Sequence, residues 1–210
     1  MRSGERLAGL AGALPSLAAM IACAALPAAA APEEFVVDSP HTYPSFAVSH
    51  LGISTQRGRF DRTTGRIVLD REAGSGSIDV AIDARSVSTG YGALDAVLRG
   101  EDFFNVSRFP EISFRSRALE FDGGVPKRAS GELTLVGVTR PVELSVVRFG
   151  CTRLPFLVRL TCGADVVASL KRSDFGMTAF SSFVGDEVRL EIQVEAVKQE
   201  PPAALPPAGG

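Results

Sequence analysis

Val188-Arg189-Leu190-Glu191-Ile192-Gln193-Val194 alternates apolar and polar residues without a break. A β-strand points successive side chains to opposite faces, so this stretch has one greasy face and one wet face. The same period governs Ile78-Asp79-Val80-Ala81-Ile82-Asp83 and Glu111-Ile112-Ser113-Phe114-Arg115. Working outward, strand-like runs recur at 35–37, 46–50, 56–60, 66–70, 77–84, 111–121, 130–136, 142–149, 157–170 and 186–197. Many are separated by turn chemistry such as Asp122-Gly123-Gly124. One segment breaks the period. Leu94, Val97 and Leu98 stand at i, i+3 and i+4, which predicts a short helix ended by Gly100. Many hairpin-linked strands and one helix predict an all-β antiparallel barrel or sandwich.

The N-terminus is not part of that pattern. Arg2 and Arg6 precede an apolar run from Leu7 to Leu26. Ala28 to Ala31 then offer small residues for cleavage. Residues 1–31 therefore read as a secretory signal peptide, and the mature protein is expected in the periplasm. Pro15 and Pro27 interrupt the run, which argues against a membrane helix. A minor alternative is a lipoprotein anchored at Cys23, because Met20-Ile21-Ala22-Cys23 loosely matches a lipobox. Residues 32–198 form the expected domain. Residues 199–210, nearly all Pro, Ala and Gly, are expected to be disordered.

The formal charge is −2, and such a mildly acidic, mixed-sign surface gives no electrostatic footprint for nucleic acid or anionic lipid. Cys151 and Cys162 remain after export and are best read as one disulfide. A redox or metal pair is the alternative, with neither a C-x-x-C spacing nor a nearby His to favour it. His41 and His50 are the two histidines, and their spacing fits no compact metal motif. Nucleophile-elbow, zincin and phosphate-loop motifs are absent. The carboxylate pairs Asp79/Asp83 and Glu191/Glu195 fall on polar strand faces, so they read as solvated charge. Lys171-Arg172-Ser173-Asp174-Phe175-Gly176 is either a turn, or a polar collar at the mouth of an apolar cavity.

Several blocks resemble the YceI-like family. They are His50-Leu51-Gly52-Ile53-Ser54-Thr55 with Arg57-Gly58-Arg59-Phe60, and Leu98-Arg99-Gly100-Glu101-Asp102-Phe103-Phe104 with Phe109-Pro110-Glu111-Ile112-Ser113-Phe114. Gly131-Glu132-Leu133-Thr134-Leu135 with Gly137-Val138-Thr139-Arg140-Pro141-Val142 follows, then Arg172-Ser173-Asp174-Phe175-Gly176-Met177 and Gly185-Asp186-Glu187-Val188. The resemblance implies an extended, eight-stranded, lipocalin-like antiparallel barrel with one short helix, holding a polyisoprenoid chain. An isoprenoid lipid or isoprenoid quinone is the implied ligand, with no cofactor required and no metal. One departure stands out: Asp95-Ala96-Val97-Leu98 replaces an Asp-Ala-His-Leu run common in relatives.

On this reading Phe46, Val48, Ile53, Phe60, Ile82, Phe114, Leu135, Leu144 and Val146 line a tunnel. Leu94 and Leu98 on the helix close or gate it, together with Phe103, Phe175, Phe180 and Phe183 on loops. His50, Arg172 and Asp174 form the expected head-group rim. No catalytic residue is expected; transient membrane contact is. The competing readings are an enzyme or stress-response factor acting on a hydrophobic substrate through His50, Asp174 or Arg172, and a ligand-free structural domain with a filled barrel.

Overall fold

The computed structural model describes residues 31–153 and 159–200. Its strands are β1 (Glu33–Val37), β2 (Tyr43–His50), β3 (Ser54–Phe60), β4 (Thr63–Asp70), β5 (Ser75–Asp83), β6 (Val87–Ser88), β7 (Glu111–Asp122), β8 (Val125–Leu135), β9 (Val138–Arg153), β10 (Leu160–Lys171) and β11 (Val184–Lys198). The single described α-helix, α1, runs Gly92–Arg99. The helical period of the sequence therefore gives a helix where expected, between β6 and β7.

All pairings are antiparallel, and the sheet closes on itself through β1 and β11. The eleven segments make eight walls. β1 and β2 are two lengths of one wall, both paired with β11 and separated by the 3-10 turn Ser39–His41. β3 and β4 form the second wall, and β5 with β6 the third. β7 to β11 then follow in chain order. Closure removes the exposed sheet edges that an open sheet of this size would leave. β11 runs the full height: fifteen residues at ~3.4 Å each give a wall of roughly 50 Å.

The two ends differ. At one end the turns between β4 and β5 and between β7 and β8 meet, with Arg71 Nε donating to the Gly124 carbonyl at 2.9 Å. Phe35, Leu69, Cys162 and Ala196 pack there, flanked by Phe121, Phe149 and Leu160. The Cys151–Cys162 disulfide lies across β9 and β10 at this same end, between residues directly opposite in the ladder. Both ends of the domain also lie here, Phe35 pairing with Lys198. The other end carries the Leu51-Gly52-Ile53 turn, α1 with the loop after it, and the 172–183 loop.

The leader 1–31 lies outside the described residues except for Ala31, as does Cys23. The tail does too, apart from Gln199 and Glu200. Gln199 is not free of the domain, since its amide donates to the Glu34 carbonyl at 2.8 Å.

Candidate lipid-binding cavity

The barrel is hollow. A cavity of about 830 Å³ opens at the end bearing α1, in the upper part of the ~300–1,000 Å³ range of small-molecule sites. The wall of β11 explains how the sequence makes it. Val188, Leu190, Ile192 and Val194 all face the cavity, while Arg189, Glu191 and Gln193 face water. These four inward residues are only half-buried, because they border a void rather than a packed core. No Asp or Glu is among the lining residues.

Of the side chains expected to line a tunnel, Phe46, Val48, Phe60, Ile82, Phe114, Leu135 and Leu144 stand on the cavity wall. Leu94 and Leu98 of α1 and Phe103, Phe180 and Phe183 of the loops border it as well. Three do not. Ile53 is 83 % exposed at the tip of the turn between β2 and β3 and is not on the wall. Its position in the turn, rather than its apolar character, decides that. Phe175 is only 2 % exposed, but it is packed within the solid core around Val87, Leu98 and Met177 rather than on the wall. Val146 is half-buried and off the wall; the β9–β10 ladder slips at Asp165 and Val166, and Val166 faces the cavity there.

Phe104 was not foreseen. It completes an aromatic cluster with Phe46 and Phe60, with ring centroids 6.1 and 5.3 Å away respectively. Neighbouring Phe103 stacks on Phe180 at 6.0 Å, joining the loop after α1 to the 172–183 loop. The doubled Phe was the available signal, but an irregular segment has no period to say which way each ring points.

The expected rim is reorganised. His50 borders the cavity, at the end of β2. Arg172 also borders it, but is 4 % exposed and spends its donors inside its own loop. Its Nε donates to the Gly185 carbonyl at 2.9 Å, Nη1 to Met177 and Ala179 at 2.7 and 2.8 Å, and Nη2 to Val184 at 3.0 Å. Four backbone carbonyls thus claim the guanidinium, which acts as a clasp folding the 172–185 segment. Asp174 is exposed and off the wall, so it is no part of a rim. Asp186 is the carboxylate that the turn uses. It accepts from the Ser173 amide at 2.9 Å and its hydroxyl at 2.8 Å, and these two bonds hold its pKa below the ordinary carboxylate value. Arg57, on β3, borders the cavity and makes no ion pair among the described residues.

The helix is latched by a residue the sequence did not single out. Asp95 accepts from the Thr89 hydroxyl at 2.6 Å and the Thr89 amide at 2.7 Å. The N-cap residue Tyr91 makes no side-chain cap bond, so this carboxylate in the first turn ties the helix back to the chain before it and complements the positive end of the helix dipole. The hydroxyl bond foremost lowers the Asp95 pKa, overcoming the opposing effect of burial. At the other end of α1, Arg99 donates to the carbonyls of Arg85 and Val87 at 2.9 and 2.7 Å. Side chains at both ends of the helix therefore tie it over the mouth.

The remaining polar groups pair locally. Asp79 and Asp83 bind Arg115 and Arg62, and Glu191 binds Arg189. His41 lies 2.9 Å from Asp38, which raises its pKa. The β1–β11 register brings Glu195 to the same corner, so that potential ligand atoms of Asp38, His41 and Glu195 fall within 4.8 Å of one another. That long-range approach could not be read from sequence spacing. Of His50, Arg172 and Asp174, the first two border the cavity, but the guanidinium of Arg172 is committed to backbone carbonyls and Asp174 lies off the wall.

Comparison with known proteins agrees with this architecture. The profile of the YceI-like domain matches residues 35–196. A UPF0312 protein of Pectobacterium atrosepticum is 32 % identical over 174 residues, covering 82 % of this chain and 90 % of that protein. Among solved structures, BcnA of Burkholderia cenocepacia superposes with a TM-score of 0.62 at 24 % identity, over 76 % of this chain and 98 % of BcnA. A polyisoprenoid-binding domain of Saccharophagus degradans superposes with a TM-score of 0.56 at 17 % identity, over 79 % of this chain and 98 % of that domain. With the matched span covering nearly the whole barrel, the chain belongs to the YceI-like family.

Proposed function

We propose that this protein is a non-catalytic carrier that holds one polyisoprenoid chain, an isoprenoid lipid or the tail of an isoprenoid quinone, inside its barrel. The reading further assigns it to the periplasm after removal of residues 1–31, where it transports, stores or sequesters that lipid. The observation that carries it is the cavity of about 830 Å³, walled by aliphatic and aromatic side chains and free of carboxylates. Such a wall favours a long apolar molecule through area removed from water and asks few directional contacts of it. Burying ~400 Å² of ligand at roughly 25 cal/mol per Å² gives on the order of 10 kcal/mol, before the ordering costs of association. The Saccharophagus degradans domain of the same fold is described as polyisoprenoid-binding, which supports the ligand class. The hollow interior speaks against a filled structural barrel, and the commitment of Arg172 to four backbone carbonyls, with Asp174 off the wall, speaks against catalysis by these residues.

The test is native mass spectrometry of the purified protein, with organic extraction and lipid analysis. Copurifying isoprenoid, or stoichiometric loading with a quinone or polyprenol, is the expected result. A ligand-free protein that resists loading with either would overturn the reading. Phe114→Asp puts a charge on the wall and should abolish uptake. Undiminished loading in that variant, with the fold verified by circular dichroism, would remove Phe114 from the binding surface.

A further inference from the structure

We infer that the open end of the barrel is a docking face for a phospholipid bilayer with anionic head groups. This goes beyond the carrier reading, because it assigns a surface and a partner rather than a cargo.

Among the described residues the exposed large hydrophobics are Leu51, Ile53, Tyr91, Val97, Val147, Phe180 and Phe183. All but Val147 lie on the turns, helix and loops of the open end. Such a cluster is costly in water and marks an interaction surface. Its continuity with the cavity points to a lipid phase: Leu51, Tyr91, Val97, Phe180 and Phe183 are both exposed and cavity-lining. An apolar chain sliding over them passes from bilayer to barrel without crossing water. The patch is also built rather than frayed. The Leu51 amide donates to the Phe183 carbonyl at 2.7 Å, and Phe180 is stacked on Phe103. Leu51 and Phe180 each hold φ at 55°, a conformation that bulky residues rarely adopt.

The net charge of −2 exerts no long-range pull on an anionic surface, so the kind of bilayer is selected locally, at the mouth. The cavity-lining cations are Arg57 and Arg172, with no lining carboxylate to balance them. Arg172 is committed to four carbonyls, whereas Arg57 is exposed and makes no ion pair among the described residues. A free guanidinium beside an apolar patch is complementary to lipid phosphate at the interface.

Ile53 separates docking from cargo binding, because it is the most exposed of these side chains and is not on the cavity wall. Wild-type protein, Ile53→Asp and Val147→Asp are floated with vesicles of phosphatidylcholine alone or mixed with phosphatidylglycerol. Expected are binding of wild type and Val147→Asp to the mixed vesicles, several-fold weaker binding to neutral ones, and a loss of about tenfold or more for Ile53→Asp, the effect of one buried isoleucine. Loading from detergent micelles should be the same in all three, so a failure of the carrier reading shows in the micelle arm and a failure of docking in the vesicle arm. Equal flotation of wild type and Ile53→Asp, or of wild type on both vesicle types, would overturn the inference. So would a dimer in sedimentation analysis that Ile53→Asp abolishes while wild type ignores vesicles, because the face would then belong to a second copy.

Discussion

Phe114 lies directly over Gly131 across the β7–β8 ladder. A methyl group built on Gly131 would stand 2.6 Å from the Phe114 Cζ and 2.4 Å from the Arg115 carbonyl oxygen. The wall that bounds the cavity therefore depends on a residue with no side chain. Gly131→Ala must displace backbone or tilt the ring, which costs about 1–3 kcal/mol. We expect a fall in melting temperature of roughly 3–10 °C, with weaker isoprenoid retention. An unchanged melting temperature would mean that the ladder relaxes freely around Gly131.

The Asp95 latch makes the helix over the mouth sensitive to acid. The folded-state pKa of Asp95 is lowered by the Thr89 bonds, so the unfolded state takes up the proton first as pH falls. The stabilisation is complete above the ordinary carboxylate pKa and is lost as pH falls through the lower folded value. Asp95→Asn should be less stable than wild type at neutral pH, and the gap should narrow below about pH 4. Urea denaturation at neutral and acid pH measures this; a gap independent of pH would reject the latch.

Arg172→Ala leaves the carbonyls of Met177, Ala179, Val184 and Gly185 without their guanidinium partner. A loss of 3 kcal/mol or more is expected, about the cost of breaking a buried polar network. Lysine cannot reproduce four bonds from a planar fork, so Arg172→Lys should rescue little of it. Hydrogen exchange across 172–185 reports the opening. A head-group role alone would instead weaken ligand binding and leave exchange unchanged.

The disulfide predicts the opposite division of effects. Cys151 and Cys162 close a loop with a sequence separation of 11 at the sealed end, worth about 3 kcal/mol in the chain-entropy model. Replacing both by serine should lower the denaturation midpoint while leaving isoprenoid loading intact. Lost loading in the folded double variant would place the cavity under the control of its far end.

The alternation in residues 188–194 made the barrel legible, and it correctly separated Val188, Leu190, Ile192 and Val194 from their charged neighbours. Period reports a face, not a depth. Ile53 and Phe175 are both apolar in family-like blocks, yet one sits on a turn tip and the other inside solid packing. The polar groups were least legible, because their partners are set by loop geometry. Arg172 was expected at a rim and is the internal clasp of its loop. Asp174 was expected beside it, but Asp186 does the bonding. The Cys151–Cys162 pair was readable because two cysteines in a domain expected to be exported have few other uses.

The sealed end also constrains traffic. With Phe35, Leu69, Cys162 and Ala196 filling one end of the barrel, a lipid chain held as proposed would have to leave tail-last through the doorway by which it entered. On the carrier reading such a vessel would not act as a conduit spanning two membranes at once. It would have to release one surface, turn, and present the same doorway to the next, so that delivery would be a round trip made by the whole molecule.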